Sequence, residues 1–63
     1  MTKNETRTIV QARMVATADP AMALRMLSIV HRSTMSGKTQ RDVLSICAEL
    51  GLPVVMVNGC ISA

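Results

Sequence analysis

The sequence predicts a mainly α protein: a short strand at residues 7–15, helices at 20–32 and 39–50, and intertwining with a second copy as a homodimer. Three observations lead there. Two stretches repeat apolar residues at helical spacing behind recognisable start signals. A β-branched stretch precedes them. The chain has only 63 residues, 49% of them hydrophobic and none aromatic. Short chains hide a small share of their surface, and aromatic rings bury the most area per residue. A free helical hairpin of this size cannot cover so much aliphatic and methionine surface, and a second copy is the natural cover.

Residues 1–6 are polar and read as a flexible lead into a single small domain spanning 1–63. In the segment 7–15, alternation puts Arg7, Gln11 and Arg13 on one side with Ile9, and Thr8, Val10, Ala12 and Met14 on the other. Its β-branched residues favour a strand. A helical reading gives a poorer stripe of Ile9, Ala12, Arg13 and Ala16, built from good helix formers. The strand is preferred.

Asp19 followed by Pro20 is an N-cap with proline at the first helical position. Ala23, Met26, Leu27 and Val30 then form an apolar stripe, with Met22, Leu24 and Ile29 widening it. His31 and Arg32 lie where the helix dipole favours cations. Gly37 reads as the turn residue of the connection 33–38, and Thr39 caps the second helix with Asp42 completing a capping box. Val43, Ile46, Cys47 and Leu50 line its inner face, and Gly51 stops it shortly before Pro53. Val54 to Val57 meets the turn pair Asn58-Gly59, so 54–57 reads as a short strand or part of a further helix. A three-helix or α+β mini-domain is the alternative architecture. In its α+β form, 7–15 and 54–57 lie side by side under both helices.

The order of strand, helix, glycine turn and helix over residues 7–50 resembles the ribbon-helix-helix repressors of the Arc/MetJ type. The most specific piece is Gly37-Lys38-Thr39-Gln40-Arg41-Asp42-Val43-Leu44, similar to the family's opening of its second helix. The resemblance implies a strand from each subunit pairing antiparallel and entering the major groove of double-stranded DNA. It implies Arg7, Gln11 and Arg13 as base readers, chemistry suited to guanine and adenine edges. It further implies Lys38, Thr39 and Gln40 as a phosphate clamp at a helix start. Val10, Met26, Leu27, Val30, Val43, Ile46 and Leu50 are the expected dimer core. The chain departs from the family in the longer connection from Arg13 to Asp19 and in the apolar tail after Leu50.

A second DNA-binding pattern runs through Cys47-Ala48-Glu49-Leu50-Gly51-Leu52-Pro53 to Val57, similar to a helix-turn-helix with its recognition helix at 54–60. That segment holds no Arg or Lys, which is poor chemistry for a groove. The runner-up function is a small protein-binding inhibitor or adaptor. Five methionines, Met14, Met22, Met26, Met35 and Met56, are spread over every segment, and such surfaces adapt to varied partners. Leu52 to Val57 could add a strand to another protein's sheet edge.

The formal net charge of +3 is mild, and it attracts phosphates only where it gathers on one face. No apolar run is long enough to span a bilayer, and no signal-peptide core precedes the domain, so a reduced cytoplasm is expected. Catalysis, cofactor and metal are not expected. His31 is the single histidine, and His31, Cys47 and Cys60 lack metal-site spacing. Ser36-Gly37-Lys38-Thr39 lacks the first glycine and the strand of a phosphate-binding loop.

Overall fold

The computed structural model describes residues 2–62. Three helices are followed by a β-hairpin: α1 (Lys3–Val15), α2 (Pro20–Ser33), α3 (Gly37–Glu49), β1 (Val55–Val57) and β2 (Cys60–Ser62). The predicted strand at 7–15 is therefore overturned, and the ribbon-helix-helix architecture falls with it. The reason lies in the residues read as a flexible lead. Thr2 caps α1, its hydroxyl accepting from the Glu5 backbone N–H at 3.2 Å while the Glu5 carboxylate accepts from the Thr2 N–H at 2.8 Å. This reciprocal box satisfies two orphan donors and offsets the costly first turn. Ile9 and Ala12, three apart, are then buried on one face.

Asp19 caps α2, its carboxylate accepting from the Met22 N–H at 3.1 Å, with Pro20 as the first helical residue. Ala12 and Ala23 are both fully buried, and the absence of longer side chains lets α1 and α2 approach closely. The third helix starts earlier than its sequence suggests. Ser36, not Thr39, is the cap, its hydroxyl accepting from the Thr39 N–H at 3.3 Å. Gly37 is the first helical residue rather than a turn glycine. The real positive-φ glycines are Gly51 and Gly59. At the end of α3 the Leu52 N–H reaches the Cys47 carbonyl at 2.9 Å and the Gly51 N–H the Ala48 carbonyl at 3.2 Å. That is a Schellman stop, which needs a left-handed residue after the cap, and Gly51 supplies it at φ 70°.

Residues 54–60 do not form a recognition helix. Asn58 (φ 52°) and Gly59 (φ 78°) turn the chain back, pairing Val57 with Cys60, Met56 with Ile61 and Val55 with Ser62. Positive φ at both loop positions is the requirement of a two-residue hairpin turn that follows the natural twist of strands.

The core gathers Ile9 and Ala12 from α1, Ala23, Leu27 and Val30 from α2, Val43 and Cys47 from α3, and Leu52 and Ile61 from the tail. One chain encloses all nine. Helix α2 is the centre: α1, α3 and β2 each pack against it, and the molecule is a slab of 29 × 26 × 16 Å.

Candidate nucleic-acid interface

Two observations fix the directions of the helices. At one end of the slab the Arg13 guanidinium and Glu49 carboxylate, on the last turns of α1 and α3, meet at 2.8 Å. At the other end Thr2, Asn4 and Glu5 line one hollow with Ser33, Thr34 and Ser36. Helices α1 and α3 therefore run parallel, with α2 antiparallel to both. The hollow at the starting end holds roughly 610 Å³ and is rich in hydroxyls. The Gln40 amide donates to the His31 carbonyl at 3.1 Å and locks the start of α3 to the end of α2.

Charge follows this arrangement. Lys3 and Arg7 on the first half of α1, Arg32 on the last turn of α2, and Lys38 and Arg41 on the first half of α3 fall in the starting half of the slab. All five are exposed, and among the described residues none is in a salt bridge. Only Glu5 and Asp42 oppose them there. The other half balances Arg13 and Arg25 against Asp19 and Glu49, so the whole formal net charge of +3 belongs to the starting half. Glu5 is committed to the cap of α1. The Thr2 backbone N–H, then the Thr34 and Thr2 hydroxyls, hold its carboxyl below the ordinary carboxylate value.

The residues that sequence reasoning singled out separate into distinct environments. Arg7 and Gln11, four apart on α1, are exposed on one stripe of the helix. Arg13 lies off that stripe and is engaged by Glu49. Lys38 is exposed on the first turn of α3. Thr39 is 2% exposed and cannot meet a phosphate, and Gln40 is half-buried with its amide bound to His31. Of the expected dimer core, Leu27, Val30 and Val43 are buried within one chain, Met26, Ile46 and Leu50 are half-buried, and Val10 is half-exposed. Lys3, Arg32 and Arg41 were missed as site residues. Arg41 carried a signal, since it follows Lys38 by three positions on one helix face.

A second groove, of roughly 700 Å³, runs between α1 and α3, with Ile9, Val10 and Ile46 lining it and the Arg13–Glu49 pair at its end. Among the described residues no three His, Cys, Asp or Glu side chains gather to hold a metal, and no helix is long and apolar enough to cross a membrane. Cys47 is buried in the core, where the loss of solvent pushes its thiol pKa up. Against protein-family models, curated proteins and solved structures, the chain finds no match.

Proposed function

We propose that this chain binds double-stranded DNA as a small cytoplasmic regulator of transcription, docking by the end at which α1 and α3 begin. The observation that carries the reading is the gathering of five exposed cations, and the full net charge, in that half of the slab. Lysine and arginine neutralise phosphates and release condensed counterions, which is the main source of affinity for a duplex. The Ser36 hydroxyl, which only accepts within the chain, and the Asn4 amide beside it suit further phosphate contacts. Arg7 and Gln11 keep the chemistry to read base edges from a helix in place of the expected ribbon.

Titration of labelled duplex DNA at several salt concentrations tests this. Five phosphate contacts per chain predict a log–log salt slope of up to about −4.5. Binding that is absent, or indifferent to salt, would sink the proposal.

The adaptor reading keeps one observation of its own: Met14, Met22 and Met35 are exposed, Met35 completely. It expects a protein complex that tolerates high salt and is weakened by Met35→Ser, measured by calorimetry.

A further inference from the structure

Among the described residues the outer edge of each strand of the hairpin is unpaired, and that of β1 is the more open. β2 packs against α2 through Ile61, which is 4% exposed, while β1 pairs only with β2. Val55, Met56 and Val57 are 60%, 45% and 51% exposed. A two-residue loop closes on a hydrogen-bonded pair, here Val57 and Cys60, and antiparallel ladders alternate hydrogen-bonded with non-bonded pairs. The Met56 N–H and C=O therefore point away from β2, along the free edge. Natural edges are guarded by lysine, by proline or by a bulge. Nothing of the kind falls within 55–57, and Pro53 stands two residues before them.

We infer that a second copy of this chain occupies that edge, the two β1 strands pairing antiparallel about a two-fold axis at Met56. Two features select a like chain over an unlike one. First, Val55-Met56-Val57 reads the same in both directions. Antiparallel self-pairing centred on Met56 sets Val55 opposite the partner's Val57, and Val57 opposite the partner's Val55. These are non-bonded positions, where strands bring side chains closest. Met56 exchanges both backbone hydrogen bonds with the partner's Met56. Second, no charged side chain occurs from Leu50 to Ala63. Two chains of charge +3 thus meet where neither carries charge, whereas an edge adapted to a charged peptide would bear the opposite sign. The result is a four-stranded sheet running through the axis.

Strand pairing of this length covers less than the roughly 800 Å² per partner of a standard interface, so the dimer forms and dissociates with concentration. It stands independently of the DNA reading, and its test uses no nucleic acid. Sedimentation of the wild type should give a monomer on dilution and a dimer at high protein concentration. Val55→Lys, at an exposed position, should abolish association while circular dichroism keeps the helix content. Met56→Cys combined with Cys60→Ser should cross-link between chains under oxidised glutathione, because opposed backbones about 5.5 Å apart suit a disulfide. Met35→Cys, more exposed than Met56 but outside the hairpin, should not cross-link at that rate. A wild type monomeric up to millimolar concentration would overturn the inference. So would a dimer indifferent to Val55→Lys, or an edge protected from hydrogen exchange only when a different protein is added.

Discussion

Arg13 and Glu49 clasp the far ends of α1 and α3 with a contact of 2.8 Å, yet both side chains remain well exposed, at 44% and 62%. Those two helices touch little elsewhere, and an apolar groove lies between them. The clasp sets their spacing more than it stabilises them. Solvent screens an ion pair this open, leaving at most about 1 kcal/mol. Glu49→Gln should lower the thermal midpoint by no more than a few degrees in low salt and by nothing measurable in high salt. A larger loss persisting in salt would show that the pair supports packing rather than spacing.

Leu27 lies at the centre of the core, fully buried on the helix that every other layer packs against. A chain of this size holds only about 3–9 kcal/mol of folding free energy at 0.05–0.15 kcal/mol per residue. Truncating a buried leucine costs about 2–5 kcal/mol. Leu27→Ala should therefore remove much of the stability and leave a substantial unfolded population, read from the urea midpoint. Ile29→Ala, on the same helix but half-exposed, should shift that midpoint far less.

The Cys47 thiol is neutral in its apolar seat, and burial raises its pKa above the ordinary 9.0. The unfolded chain ionises that thiol at a lower pH than the folded one does. Stability from this group is therefore complete below the ordinary thiol value and is lost as pH climbs through the folded value. No tyrosine titrates in the same range, and the comparison with Cys47→Ala separates this thiol from Cys60 and the two lysines. Denaturation measured from pH 7 to 10 should show an alkaline decline that Cys47→Ala lacks. At neutral pH a thiol reagent should modify the half-buried Cys60 well before Cys47.

The local signals at Asp19-Pro20 and Gly51 were legible in the sequence; the Thr2–Glu5 box, equally local, was overlooked, and the long-range packing could not be read. Asp19-Pro20 marks the start of α2 because cap and fixed φ act within one turn. Gly51 marks the end of α3 for the same reason. The first element was misread because β-branched residues at 8–10 carry only a weak preference, which the Thr2–Glu5 box and the burial of Ile9 and Ala12 override. At α3 two hydroxyls compete for the cap. Ser36 takes it because Thr39 is drawn into the interior, a fact of tertiary packing. The basic end was invisible for a related reason. Lys3 and Arg41 fall in the same half of the molecule only once α1 and α3 are known to run parallel.

Helix direction also supplies the sharpest test of the DNA reading. Arg41→Glu and Arg25→Glu change the net charge equally, and both residues are exposed and outside any salt bridge among the described residues. They differ in place: Arg41 is in the half that holds the excess charge, and Arg25 is in the balanced half. If phosphates dock at that end, Arg41→Glu should weaken duplex binding about ten-fold or more and reduce the salt slope by about 1. Arg25→Glu should keep the slope and lose only the part of affinity due to long-range attraction, which salt screens beyond about 10 Å. Anisotropy titrations of both variants, with circular dichroism to verify folding, decide the matter. Equal losses would mean that the molecule attracts DNA through net charge alone and has no docking end.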